Sequence, residues 1–584
     1  MSAMARDIDP ITLEVVKNAL SSLGDEMALV IMRSAYSPVV RDSMDYSTAL
    51  CDRHGQIVAQ GLTLAVQLGA FPEIMGHITA EYADDTHPGD IFIANDPYGA
   101  GGQHLPDIYV IKPIFLGASL EGYAATMAHH SDVGGIAAGS VAMHATEIYQ
   151  EGLRLPLLKL YEGGKPVRAL FEMIEKNTRN PIHVMGDLRA QLSACDVGEK
   201  GLQRLIDKYG AALLHPYFEE LQDQAERMMM AEIEAIPDGE YSYTDYIDGF
   251  GEHPEPLQIA VTLGIKGSNI TVDFTGTSAQ VQAAINCPVA MAKSCAYCAI
   301  RCIGGQEIPN CQGYMRAVTV IAPEGTILNP LLPAACAARG VMGYRVFDAI
   351  MGALAQVVPD KVIAAGEGGP TLFSIGGYRN GEAFTLTEVM VGTWGARAAR
   401  DGIEGISNPA ANLSNQPTEL IEAEFPLQVV RYGLVPDSGG AGRCRGGLAF
   451  VREFKLLSGE AGYTVRADRR DHPPYGLKGG RAGAPSRNVL NHDGVERELP
   501  TMPMESLPMT AGDAFCHVSA GGGGFGKPLE RYPERVLADV IDQKVSIEAA
   551  RGSYGVVVDS TTRTIDKAAT KALRAEMART SRQG

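Results

Sequence analysis

Between residues 95 and 135 this chain sets three histidines and three aspartates among glycines, although it carries only 13 histidines in 584 residues. The first run is Asn95-Asp96-Pro97-Tyr98-Gly99-Ala100-Gly101-Gly102-Gln103-His104-Leu105-Pro106-Asp107. The second is His129-His130-Ser131-Asp132-Val133-Gly134-Gly135. Two imidazoles and one carboxylate, His104, Asp107 and His129, make a first shell for Zn²⁺ or Mn²⁺ that leaves positions open for water or substrate. Glycine allows the tight backbone needed to aim such side chains at one point. The alternative is a polar loop whose histidines cap turns or sit hydrogen-bonded. A second carboxylate source is Arg41-Asp42-Ser43-Met44-Asp45-Tyr46-Ser47. There Asp45 or Asp42 would act as general base on water, or simply close a helix-to-strand turn.

The elements that must position these residues can be read from periodicity. Residues 8–36 follow helical spacing, with Asp9 before Pro10 as N-cap and first-turn pair. Residues 47–52 and 56–60, joined by Arg53-His54-Gly55, predict a β-hairpin. A helix at 72–83 and strands at 91–94, 108–115 and 122–128 follow, so the histidine cluster falls on loops at strand ends. Residues 170–235 read as helical and 237–280 as short strands. Helix (286–303), strand (317–321) and helix (343–357) come next. Residues 425–530 read as β and 531–584 as charged helix, fraying at its end. The expected class is α+β, a large multilayer protein with mixed and antiparallel sheets and flanking helices. Three regions are expected: 1–240 with the catalytic loops, 241–424, and 425–584.

Composition narrows the function. A formal charge of −19 and an acidic pI near 5.2 argue against a nucleic-acid partner, which needs a basic face. No apolar run of about 18 residues is present, so no membrane span is expected. Without a secretory pattern at its start, and with ten cysteines in so long a chain, it reads as cytoplasmic with reduced thiols. The sequons at Asn269 and Asn412 are then chance matches.

Other motifs have plainer readings. Gly521–Gly526 followed by Lys527 resembles a phosphate-cradling loop, but Pro528 stands where a Mg²⁺-binding hydroxyl is needed. It reads instead as a tight glycine turn. Cys295, Cys298 and Cys302 have cluster-like spacing, yet i, i+3, i+7 is also one face of a core helix, the expectation here. Ser438 and Ser519 offer hydroxyls in glycine turns with no base specified beside them.

Taken in order along nearly the whole chain, the motifs resemble the hydantoinase B/oxoprolinase family. They include Asp9-Pro10-Ile11-Thr12-Leu13-Glu14-Val15, Arg41–Ser47, the two histidine runs, and Asp273-Phe274-Thr275-Gly276-Thr277-Ser278. Asn329-Pro330, Asp437–Gly442, Arg445-Gly446-Gly447 and the glycine run through Lys527-Pro528-Leu529-Glu530 complete them. The resemblance implies an ATP-dependent enzyme of two kinds of subunit, α2β2 by expectation. An A-type subunit of the actin-like ATPase class binds ATP and Mg²⁺ and phosphorylates the substrate oxygen, and a B-type subunit completes the reaction. Members open 5-oxoproline, hydantoins and caprolactam; related enzymes carboxylate acetone or acetophenone. The implied metal positions are His104, Asp107 and His129, and the implied catalytic carboxylate is Asp45. His130 is expected to hydrogen-bond the departing phosphate or the ring nitrogen. Three functions are thus open: a cyclic amidase component, a ketone carboxylase component, and a non-catalytic scaffold. Chain length and the retained ligands favour the amidase. One departure is Gln67, where many members carry histidine; glutamine serves neither as acid nor as base.

Overall fold

The N-terminal helix, Pro10–Ser34, starts where Asp9 accepts the Thr12 N–H at 2.9 Å and Pro10 supplies a preset φ. In the computed structural model, which describes residues 8–367 and 371–580, this helix lies on a seven-stranded antiparallel sheet. The strands are β1 (Tyr46–Asp52), β2 (Ile57–Gln60), β3 (Ile91–Ala94), β4 (Asp107–Leu116), β5 (Ser119–His129), β6 (Leu158–Glu162) and β7 (Lys165–Pro166). Their spatial order is β2-β1-β5-β4-β3-β6-β7, which puts β1, β5 and β4 side by side.

Both faces of this sheet are buried, so its strands are apolar on both sides. Alternation still sorts the residues. Ile108, Val110, Ala124 and Ala128 face a core shared with Pro10–Ser34 and the long helix Pro181–Tyr209. Tyr109, Ile111, Ala125 and Met127 face the opposite core, beneath the helix Phe71–Glu81. Small residues along β5 let the helices approach closely.

The rest of the chain builds three further sheets. A four-stranded one spans Gly239–Ile247, Leu257–Lys266, Asn269–Asp273 and Val318–Ile321, with one parallel pair, and packs under the helices Val289–Ile303 and Gly340–Leu354. The C-terminal part holds a four-stranded and a five-stranded sheet around an aromatic core of Phe373, Phe454, Tyr463 and Phe515. The architecture is α+β, with mixed and antiparallel sheets and flanking helices. Thr371–Arg379 and Glu382–Met390 are strands in a region where the reading of the sequence assigns no element. Thr371–Arg379 pairs with Glu382–Met390 on one side and with Glu460–Arg466 on the other, so one sheet runs across the border expected at 425. The helix Lys567–Thr580 ends the described chain, and the fraying expected at 581–584 lies outside the described residues. Among the described residues, no helix is long and apolar enough to cross a membrane.

Two cysteine and glycine expectations change. Of the helical cysteines, Cys295 is in the core, Cys298 is partly buried and Cys302 is exposed, because the helix ends one residue later and its last turn reaches the surface. The glycine run is not a turn; it is an extended strap in a backbone hub. The N–H groups of residues 521 to 526 donate in turn to the carbonyls of Ala484, Gly447, Ala365, Arg481, Cys444 and Leu477. Amides committed in this way have no hydrogens left to cradle a phosphate.

Glycine is required in the hub by backbone proximity. A Cβ on Gly446 would lie 1.8 Å from the Gly522 carbonyl oxygen, an atom with no side-chain freedom to yield. We expect Gly446→Ala to destabilise the chain by roughly 3 kcal/mol or more, at the upper end of overpacking costs. Denaturant unfolding checks this; a midpoint equal to the parent's would show that the hub can open locally.

Candidate functional site

Three strand ends meet at one edge of the large sheet. Asp107 opens β4 and His129 closes β5, and the two form a cross-strand pair. Asp45 immediately precedes β1, and its carbonyl accepts the His129 N–H at 3.0 Å. Met44, with φ of 57°, turns the chain so that Asp45 enters on this side. His104 joins them through a tight turn in which the Asp107 N–H donates to the His104 carbonyl at 3.0 Å. Asn95 anchors that loop. Its amide donates to the Leu105 and Leu153 carbonyls at 2.6 and 3.0 Å, and its oxygen accepts the Leu155 N–H at 2.6 Å.

One ligand atom each from His104, Asp107 and His129 lies within 4.8 Å of the other two, and all three residues are buried. The His104 ring donates through Nδ1 to the Ala337 carbonyl at 3.1 Å, leaving Nε2 as a lone-pair acceptor. That Nε2 faces Asp107 Oδ1 at 3.0 Å. Burial, with the nearby Arg339 charge, brings His104 down to about 4, so the ring is neutral and two lone pairs oppose each other. Both ring nitrogens of His129 are buried without a hydrogen-bond partner. Burial also holds His129 well below its ordinary value. Burial alone would raise Asp107, yet the Arg339 guanidinium on its Oδ2 keeps it below the carboxylate range. Neutral imidazoles around an anionic oxygen, with orphaned lone pairs, are the donor set a divalent cation requires. The residues present fit such an ion.

Beside this triad is a cavity of about 30 Å³ for solvent, lined by Asp45, Gln67, His129, Arg339, Tyr344 and Arg466 with an apolar wall including Leu64, Leu372 and Leu413. Burial, with the Asp107 charge, pushes the Asp45 carboxyl up to about 7. Gln67 donates to Asp45 Oδ1 at 2.6 Å while its own oxygen accepts the Ser47 hydroxyl at 2.7 Å. Glutamine here fixes the orientation of Asp45 instead of exchanging protons.

The remaining expected residues separate by strand alternation. His130, one residue beyond His129, points to the other face of the sheet, where its Nε2 meets Gln191 Oε1 at 3.0 Å. It does not line the cavity, so its expected contact with phosphate or a ring nitrogen has no support in the geometry. Asp132 organises the glycine loop, accepting the N–H groups of Gly134, Gly139 and Arg179 and pairing with the Arg179 guanidinium at 2.8 Å. Asp42 ends a short helix and pairs with Arg41 at 2.7 Å, the turn-closing role. Ser438 and Ser519 accept the N–H groups of Ala449 and Phe450 as loop braces.

Sequence reasoning missed Arg339, Tyr344, Arg466 and Glu151. No local signal marks them, because each comes from a segment remote in sequence. Arg339 and Tyr344 lie at the start of the wholly buried helix Gly340–Leu354. A buried network anchors that helix: Arg345 meets Asp245 at 3.3 Å and also pairs with Asp468, while Arg469 pairs with Asp348. Glu151 accepts the N–H groups of Cys336 and Ala337, each at 2.7 Å, and burial pushes it up to about 8. It thereby holds the Ala337 carbonyl, which receives both His104 Nδ1 and the Arg466 guanidinium.

Removing Glu151 would leave two buried N–H groups unpartnered. Glu151→Ala should cost about 3 kcal/mol, since each orphaned donor costs about 1–3 kcal/mol. Glu151→Gln keeps one acceptor oxygen and should be milder. Chemical denaturation of both variants measures the difference, and equal stability of the two would remove this role.

Known proteins share this architecture over nearly its whole length. The B-type component of a putative D-/L-hydantoinase from Pseudomonas sp. (strain NS671) is 35% identical over 572 residues, 95% of this chain and 96% of that one. The crystal structure of the ATP-dependent caprolactamase from Pseudomonas jessenii superposes with a TM-score of 0.91 at 32% identity, covering 98% of this chain and all of its counterpart. A nucleotide-free acetone carboxylase structure also reaches 0.91, at 19% identity and over 99% of this chain and 84% of its own, and shares the fold. The sequence profile of the Hydantoinase B/oxoprolinase family matches residues 9–528, and the chain belongs to that family.

Proposed function

We propose that this chain is the B-type subunit of an ATP-dependent cyclic amidase, opening a lactam, 5-oxoproline or hydantoin ring after a partner has phosphorylated the substrate. The observation that carries the reading is the buried triad of His104, Asp107 and His129 beside Asp45, with orphaned imidazole nitrogens. The hydantoinase relative is by name a B-type component and the caprolactamase is by name ATP-dependent, which supports a separate A-type ATP-binding partner, α2β2 in our reading.

An amide resists water because resonance stabilises it, and phosphorylation of its oxygen gives an imidate carbon that water attacks. His104, Asp107 and His129 would hold one divalent ion, Zn²⁺ or Mn²⁺, because imidazole suits both. Such an ion supplies Lewis acidity, lowering the pKa of water near neutral pH. Asp45, oriented by Gln67, takes the proton of the attacking water as the new C–O bond forms. The C–N bond then breaks, the ring nitrogen takes a proton, and an acyl phosphate remains. A second water releases inorganic phosphate and leaves a carboxylate. The apolar wall keeps bulk water from the ring.

Reconstitution with an A-type partner, ATP and a panel of lactams and hydantoins tests the reading. Ring opening should require both proteins. Ring opening by the isolated chain with ATP, or bicarbonate-dependent ketone carboxylation without ring opening, would overturn it.

Two sets of variants probe the roles separately. His104→Ala and His129→Ala should each lose most of the bound divalent metal by elemental analysis, and undiminished content in both would refute the ligand assignment. Asp45→Asn should lower ring opening roughly 10²–10⁴-fold, the scale of a positioned base. Its metal content should stay unchanged; loss of metal would recast Asp45 as a ligand. Asp42→Asn is the neighbouring control and should be milder, since Asp42 pairs outward with Arg41.

A further inference from the structure

Arg466 lines the cavity and has no part in the chemistry above. It ends the strand Glu460–Arg466 and reaches the site from the C-terminal sheets, at 6% exposure. Among the described residues it has no ion-pair partner; its polar contact is a hydrogen bond from Nη1 to the Ala337 carbonyl at 2.5 Å. Arg339, also 6% exposed, lines the same cavity, and although it pairs with Asp107, its Nε is buried without a partner. Two guanidiniums therefore face one small space; Asp107 is engaged by the first, and Asp45, which also lines the space, is hydrogen-bonded to Gln67 and makes no ion pair with Arg466. A buried cation without a counter-ion is costly to maintain, and a ligand that supplies the missing charge recovers that cost. Burial and the Arg339 charge push Arg466 down to about 9, against the opposing charges of Tyr344, Asp107 and Asp45. A cation held at the triad would add positive charge beside both arginines.

We propose that Arg466, with Arg339 beside it in the cavity lining, forms an oxyanion subsite that holds the phosphoryl group of the activated substrate. The inference rests on the cyclic-amidase reading for the identity of the substrate. Guanidinium geometry matches phosphate oxygens in parallel pairs, which an ammonium does not reproduce. The phosphoryl group remains on the carbonyl-derived oxygen through ring opening and is lost at the second hydrolysis. One anchor therefore serves every intermediate. Gln67 and Asp45 line the same cavity as Arg466, so the anchored phosphoryl group holds the imidate in the space that the base also lines.

The test is equilibrium binding of inorganic phosphate to the purified full chain, with bicarbonate titrated in parallel. Wild-type protein should bind phosphate in preference to bicarbonate. Arg466→Gln should weaken phosphate roughly 10- to 100-fold, the scale of a lost charge-assisted hydrogen bond, with metal content and thermal midpoint near the parent's. If Arg466→Gln does not fold, Arg466→Lys decides, with several-fold weaker phosphate binding expected. Absence of phosphate binding in the wild type, unchanged affinity in the variant read, or preference for bicarbonate would each overturn the proposal. The two readings fail separately. If no cyclic amide is opened while phosphate binding still depends on Arg466, the amidase reading falls and the subsite stands. Ring opening without that dependence does the reverse.

Discussion

Asp107 is a fully buried carboxylate whose two oxygens answer to different parts of the molecule. Oδ2 is held by Arg339, from the N-terminus of a buried helix, and Oδ1 faces His104 from its own loop. An unpaired carboxylate at that depth would take up a proton and lose its chemistry. The ion pair keeps it charged, and so leaves an anionic oxygen at the sheet edge beside two neutral imidazoles. Removing either partner would strand a buried charge, so the sheet and the helix are coupled through this contact.

The coupling spreads outward from there. Helix Gly340–Leu354 is fixed by Arg345 and Asp348 to Asp245, Asp468 and Arg469, which belong to two other sheets and the loops beside them. The loop before the helix is fixed by Glu151, and its Ala337 carbonyl sets the tautomer of His104. Further toward the C-terminus, the glycine hub ties the segments around residues 365, 395, 444, 480 and 523 backbone to backbone. The site thus sits in one region of the sequence but is held by most of its length. Loops built on strand ends gain the precision that an acid–base site needs from such bracing.

Neighbouring polar residues in the two histidine runs do unlike work. His129 faces the triad and His130 faces Gln191, because adjacent residues at a strand end point to opposite faces. Asp107 serves the site, whereas Asp132 gathers loop amides and Arg179. Gln67 occupies a place where its amide can only donate to Asp45 and accept from Ser47, which makes Asp45 a fixed, isolated carboxylate. Burial then moves that carboxyl into the range where it can exchange protons near neutrality.

The sequence by itself determined the first five strands of the large sheet and the residues that meet at its edge, but not β6 and β7. The hairpin of β1 and β2, the strands β3 to β5 and the first helix follow from periodicity and capping, which are local properties. His104, Asp107, His129 and Asp45 were legible because ligand-type residues cluster at short spacing beside glycines. The tertiary structure alone decided which face each residue takes, and so moved His130 out of the site. It alone brought in Arg339, Arg466 and Glu151, whose positions depend on contacts between segments far apart in the chain. It also turned the glycine run from a turn into a strap, since a sequence does not show which carbonyls its amides will find. Periodicity reports a residue's own strand or helix; charge pairing across a buried core depends on how those elements are packed.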